Sequence, residues 1–191
     1  EKDTGAIEQH VMEAFREEYF SDHPENRKLQ LSGKNLLIRD IIVQYIRQML
    51  RADRRFAPFR PLKLEKTFKG PLSFEVHGEK KQLTLKGTID RVDEQEDSLR
   101  IIDYKTGSSK GNVKDIVSLF NRDGQHDALQ ALLYARVYDQ NHGNDKKLVP
   151  GLYYFRDIYK KNFDYRVKMN KQPIVYGQVQ DTLEENLKAA V

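Results

Sequence analysis

Apolar positions follow two rhythms along this chain. Over 6–20, Ile7, Val11, Met12, Phe15 and Tyr19 recur three and four apart, the spacing of one helix face. The polar run Ser21-Asp22-His23-Pro24-Glu25-Asn26 breaks it. A stronger helical pattern covers 34–52, through Leu37, Ile38, Ile41, Ile42, Tyr45, Ile46, Met49 and Leu50. Pro58 and Pro61 end that region, and the period changes. Segments 62–68, 72–78, 81–93 and 99–104 read as strands, with turns at His77-Gly78-Glu79-Lys80 and Glu94-Gln95-Glu96-Asp97. Residues 107–125 are polar and broken by glycine, a long connection of the kind that is often functional, with a short buried turn expected around Val113–Phe120. A helix over 126–140 is carried by Leu129, Leu132, Leu133, Ala135, Val137 and Tyr138. Strands follow over 148–158 and, by alternation, 163–169, and a helix closes the chain from 182 to 191.

At 191 residues the chain has the length of one ordinary domain. It reads as a helical part over 1–56, a core over 60–160 and a closing strand and helix over 161–191. Its 33 Lys and Arg against 29 Asp and Glu leave a net charge of +4, which permits a polyanionic partner without demanding one. There is no cysteine, which excludes disulfides, zinc–thiolate sites, iron–sulfur clusters and cysteine catalysis, and fits a reducing, cytoplasmic setting. No apolar run nears membrane-spanning length and no signal peptide is visible. A first residue of Glu rather than Met predicts a piece cut from something longer. The five histidines lack metal-ligand spacing, and no phosphate-binding Gly-x-x-x-x-Gly-Lys-Ser/Thr loop exists.

The candidate chemistry lies in the strands. Side chains alternate across a strand, so Asp103 and Lys105 point one way and Tyr104 the other. Asp90 ends the run 83–89; if that segment pairs with 99–104, two acids and an ammonium converge. Clustered carboxylates repel, so one pKa rises or a cation enters. Oxygen donors of this kind suit Mg²⁺ or Mn²⁺, which would polarise a phosphoryl oxygen and acidify a bound water. Lys105 would add positive charge beside the attacking water or the developing phosphorane, whereas arginine would not deprotonate to handle that water. Taken alone, Asp90 reads equally well as a surface acid; Asp103 closes an apolar run, where an unpaired charge is costly, so it needs a partner. Glu65 is a third candidate acid or an exposed strand residue. Gln130 and Tyr134, four apart on a helix, could contact phosphate or could simply pack against the sheet. Arg51, Arg54, Arg55, Arg60, Lys63, Lys110 and Lys114 could follow a phosphate backbone or could be solvated.

Three segments resemble the RecB-like branch of the PD-(D/E)XK nuclease superfamily, the nuclease domain found at the ends of bacterial helicase–nucleases such as RecB and AddB. Gly87-Thr88-Ile89-Asp90-Arg91-Val92-Asp93 is similar to that branch's Gly-x-Ile-Asp-Arg-hydrophobic-Asp, Ile102-Asp103-Tyr104-Lys105-Thr106-Gly107 to its Asp-Tyr-Lys-Thr-Gly, and Gln130-Ala131-Leu132-Leu133-Tyr134 to its Gln-x-x-x-Tyr helix. The likeness covers residues 60–160. It implies a restriction-endonuclease-like αβββαβ core, a mixed sheet flanked by helices. It implies Asp90, Asp103 and the Tyr104 backbone carbonyl as ligands of Mg²⁺ or Mn²⁺, Lys105 as the catalytic lysine, and Gln130 and Tyr134 as the helix motif. The branch often adds a histidine from an upstream helix; Lys34–Leu50 contains none, and Glu65 is the candidate in its stead. The implied function is a metal-dependent DNA nuclease domain excised from a larger recombination or repair protein, with DNA and the remainder of that protein as partners. Two alternatives stand beside it. One is a catalytically silent nuclease-fold module that binds nucleic acid or a partner protein. The other is a structural domain whose acids and lysine form only a buried ion pair.

Overall fold

A computed structural model describes residues 4–19, 32–110, 112–143 and 145–191. The chain divides into two compact units, Glu1–Ala57 and Pro58–Val191, close to where the helical pattern gives way to the strand pattern.

In the first unit, helix α1 (Thr4–Ala14) runs into a single π-helical turn (Phe15–Tyr19), and helix α2 spans Lys34–Arg54. Val11, Phe15 and Val43 are buried together, with Ile7, Ile38, Ile42 and Ile46 packed around them. Arg47 is held by Glu8 at 2.8 Å. The break expected over 21–26 lies outside the described residues.

The second unit carries strands β1 (Arg60–Val76), β2 (Glu79–Gln95) and β3 (Ser98–Lys105), helix α3 (His126–His142), strand β4 (Lys147–Tyr154), the short strands β5 (Lys168–Met169) and β6 (Gln172–Pro173), and helix α4 (Tyr176–Ala189). From α2 to β4 the order is αβββαβ, as expected. The main sheet runs β1-β2-β3-β4, antiparallel except for the parallel β3–β4 pair, so it is mixed. The first hairpin turns on His77 and Gly78, both at positive φ, as a two-residue loop requires. The expected strands 62–68 and 72–78 are one continuous strand. Pro71 does not break it, because β1 is an edge strand where a missing N–H leaves no ladder bond unmade.

Helices α3 and α4 pack on one sheet face. Ala128, Ala131, Leu132, Ala135, Leu183 and Leu187 meet Val92, Leu99, Ile101, Leu148 and Leu152 in one core. Buried Arg136 ties the layer together by pairing with Glu184 of α4 and donating to the Pro71 carbonyl at 2.8 Å. The opposite face holds a charged core. Asp93 and Arg100 face each other across β2 and β3, both fully buried and ion-paired, and Arg91 Nε lies 3.0 Å from Asp93. Aromatic rings solvate the cations: the Arg100 guanidinium sits 3.9 Å from the Phe59 centroid, and Arg91 5.4 Å from that of Tyr153.

Three boundaries differ from expectation. β4 ends at Tyr154 rather than 158, where the Asp157 and Ile158 amides turn back to the Tyr154 carbonyl. Only Lys168–Met169 of the expected strand 163–169 forms a ladder, although its alternation is real: Phe163, Tyr165 and Val167 are buried and Arg166 is exposed. α4 begins at Tyr176 rather than 182; Tyr176 and Val179 add a turn that Gly177 and two glutamines hide in the sequence. No helix among the described residues is long and apolar enough to cross a membrane.

Candidate active site

The pairing of β2 with β3 covers Arg91–Gln95 and stops at Arg91–Ile102. One step further in register stand Asp90 and Asp103. There the ladder is replaced by a side chain: Asp90 Oδ2 accepts the Tyr104 amide at 2.7 Å. The carboxylate thus lies against the peptide that follows Asp103. On β1, Glu65 falls between the Leu64–Arg91 and Lys66–Ile89 pairs, in the position facing Asp90, with φ at +46°. Positive φ in a non-glycine residue marks a local irregularity of the strand.

Asp103 is buried, at 5% exposure, and Lys105 Nζ sits 2.8 Å from its Oδ2. Strand alternation therefore places the two on one face as expected. Tyr104 takes the other face, where its ring stacks with Phe155 and meets Tyr153 edge-on. Burial pushes the Asp103 carboxyl above its ordinary range; Lys105 opposes the shift, while Asp90 and Asp127 add to it. Burial disfavours the Lys105 ammonium, but Asp103 beside it outweighs that and holds Lys105 above its ordinary value. Both shifts mark a partly desolvated cluster in which acids crowd one another.

Helix α3 supplies the rest. Lys105 Nζ donates to Gln130 Oε1 at 2.6 Å, and Gln130 Nε2 donates to the Tyr134 hydroxyl at 2.8 Å. The i,i+4 pair is thus a relay that orients the ammonium rather than a packing pair. Burial, and then Asp103, raise the Tyr134 phenol above its usual value, so it stays protonated. The Tyr134 ring lies directly over Gly87: a Cβ there would come 2.5 Å from Tyr134 Cε1. The glycine that opens the first motif is therefore what lets α3 approach.

Asp90, Asp103, Lys105, Gln130 and Tyr134 come together. Glu65 is exposed on β1, and among the described residues no three Asp, Glu or His side chains form a group able to hold a metal. Of the basic candidates, Arg60 is engaged by Glu94 at 2.5 Å, while Lys63, Lys110 and Lys114 are exposed. Asp127 and Tyr154 belong to the site but to none of the sequence motifs. Asp127 acts electrostatically on both Asp103 and Lys105, and it accepts the Tyr154 hydroxyl at 2.9 Å. Asp127 shares the α3 face of Gln130 and Tyr134 by its three- and four-residue spacing, which was the available signal.

The donors that could hold an ion are the carboxylates of Asp90 and Asp103. Asp103 Oδ2 is buried and meets Lys105 as an ion pair without a well-aligned hydrogen bond, which leaves an oxygen lone pair uncommitted. Two hard oxygen donors fit a small divalent cation that keeps several waters.

Comparison with known proteins agrees with this geometry. A stretch of 113 residues, 53% of this chain, is 41% identical to an ATP-dependent helicase/deoxyribonuclease subunit of Carboxydothermus hydrogenoformans. The match spans 9% of that protein's length. The family model described as the PD-(D/E)XK nuclease superfamily matches residues 1–190. This chain belongs to the PD-(D/E)XK nuclease superfamily.

Proposed function

We propose that this chain is a Mg²⁺- or Mn²⁺-dependent deoxyribonuclease domain that hydrolyses phosphodiester bonds and leaves a 5′-phosphate. We infer that it works in the cytoplasm within a larger helicase–nuclease of DNA recombination or repair. The observation that carries the reading is the convergence of Asp90, Asp103 and Lys105 at the seam where β2 and β3 part, in a chain of this superfamily. Asp90 and Asp103 are the side chains that would hold the ion, with the Tyr104 carbonyl and Glu65 as further ligands. When bound, the ion supplies positive charge to the phosphoryl oxygens and acidifies water. Asp90 contributes a carboxylate already anchored to the Tyr104 amide. Lys105, steered by Gln130 at 2.6 Å, places an ammonium where charge develops on the phosphoryl group. The Tyr134 hydroxyl fixes Gln130 and so sets that ammonium's direction.

The test is incubation of labelled linear and circular DNA with and without Mn²⁺. Cleavage that needs Mn²⁺ is the expected result, and Asp103→Ala and Lys105→Ala should each slow it by on the order of 10²-fold or more with an unchanged circular-dichroism spectrum. Comparing linear with circular DNA reads out the need for free ends. Undiminished cutting by folded Asp103→Ala would remove the reading.

A further inference from the structure

Beside the catalytic cluster, toward the N-terminal end of α3, lies a cavity of about 230 Å³ that the chemistry above does not use. It is bounded by the first turn of α3, the end of β4 and the segment 162–168. In the parallel pair, Leu152 and Tyr154 of its wall stand opposite Asp103 and Lys105. Tyr154 also holds Asp127 at 2.9 Å, so one wall residue touches the acid that acts on the catalytic pair.

The lining has two chemistries. Tyr154, Phe163 and Tyr165 provide rings, and the last two are braced from behind by Tyr153 at centroid distances of 5.2 and 5.7 Å. Gly151 lets the Tyr165 ring lie flat on β4, since a Cβ there would come 2.5 Å from it. Asn112, Gln125 and Asn162 provide carboxamides, which both donate and accept. The frame is hydrogen-bonded. Val113 donates to the Lys168 carbonyl at 2.7 Å, Gln125 to the Asn112 carbonyl at 2.8 Å, and the Ser109 amide to Asp157 at 2.9 Å. The long polar connection after β3 is therefore the roof of a preformed pocket. At its rim Lys160, Arg166 and Lys168 face Asp157 and Asp164, three cations against two acids.

Rings for stacking, carboxamides for a base edge and a net positive rim match a nucleotide of unpaired DNA. The cavity is below the range of about 300–1,000 Å³ that takes drug-sized ligands, which suits one base rather than a base pair. We propose that this pocket receives a single unstacked nucleobase of the strand being cut, so that the domain selects single-stranded or frayed DNA. This preference rests on the nuclease reading and names its substrate class.

The test uses the full chain in EDTA, where no cutting occurs. Binding of fluorescein-labelled oligo(dT) and of a blunt duplex is measured, together with saturation transfer from the protein's aromatic protons to dTMP. Expected are tighter binding of oligo(dT) than of duplex, transfer to the thymine protons, and a five- to tenfold loss of oligo(dT) affinity in Asn162→Leu. Asn162 is exposed, so the fold should tolerate the change. Equal affinity for duplex and single strand, transfer confined to the sugar protons, or an unaltered Asn162→Leu would each overturn the pocket. The nuclease reading fails separately: absence of Mn²⁺-dependent cleavage would remove it while single-strand selectivity in EDTA kept the pocket.

Discussion

Gly87→Ala tests how the helix motif meets the strand motif. The new Cβ would lie 2.5 Å from Tyr134 Cε1 and 2.9 Å from Cδ1. Carbon atoms in good contact stand roughly 3.5–4.0 Å apart, so the ring must retreat by about 1 Å. Its retreat is opposed by the α3 backbone, which is packed to the sheet through Ala131 and Ala135, both at 0% exposure. Overpacking of this kind costs about 1–3 kcal/mol, or a melting temperature lower by roughly 2–12 °C in a chain of this size. The displaced hydroxyl also drags Gln130, and with it the Lys105 ammonium. A misplacement of about 1 Å can cost on the order of 10²-fold in rate, so single-turnover cleavage in Mn²⁺ should fall further than stability alone explains. The control is the same substitution in a Tyr134→Ala background. With the ring gone the Cβ has room, and replacing glycine within a strand should then be neutral or stabilising by roughly 0.5–1 kcal/mol. Thermal melts of the four proteins decide it: an equal cost in both backgrounds would refute the argument that Tyr134 is what requires glycine at 87.

Three further outcomes are expected. Gln130→Leu removes the acceptor for Lys105 and should slow cleavage about tenfold without changing Mn²⁺ affinity by calorimetry; equal losses in both would mean that Gln130 shapes the carboxylates instead. Asp93→Asn strips the counter-charge from two buried guanidiniums and should cost about 3–5 kcal/mol, read as a melting temperature lower by on the order of 10 °C. Burial opposes ionisation of Asp164, but Arg166 and then Lys168 outweigh it and bring its carboxyl down to about 2. The folded value is the depressed one, so this stabilisation is complete above the ordinary aspartate range and is lost as pH falls toward 2. Asp164→Asn should therefore lose at most about 1 kcal/mol at pH 7, after screening, and the gap to the parent protein in urea melts should close between about pH 4 and 2.

The catalytic trio was legible because local rules place it. Alternation puts Asp103 and Lys105 on one face, and a short turn after Gln95 makes β2 and β3 antiparallel neighbours, which brings Asp90 into register with Asp103. Helical spacing likewise joined Gln130 to Tyr134. What escaped depends on contacts distant in sequence. Asp127 reads as an ordinary first-turn acid until Tyr154, 27 residues on, is seen to hold it. Arg91 and Asp93 share a motif with Asp90, yet they serve the other sheet face, paired with an Arg100 that looks out of place in an apolar strand. Gly70 and Pro71 read as a break because turn residues usually are one; an edge position and a neighbouring helix that leaves no room for a Cβ at 70 override that preference.

The two sheet faces divide the labour in a way that explains why chemistry appears where the ladder ends. Over Arg91–Gln95 the β2–β3 register is locked from behind by Asp93 and the two guanidiniums, whose mutual charge would be intolerable in any slipped pairing. A one-residue slip would turn Asp103 and Lys105 away from α3 and bury the wrong groups. Immediately past that lock the strands separate, and the Tyr104 N–H that has lost its ladder partner is taken by Asp90. One carboxylate thus completes the backbone and, through its other oxygen, faces the acid across the seam. The arrangement keeps two acids close despite their repulsion because one of them is anchored by an amide and the other by Lys105. A site so held is preorganised before any substrate arrives, and the rigidity that achieves this comes from residues the reaction never touches.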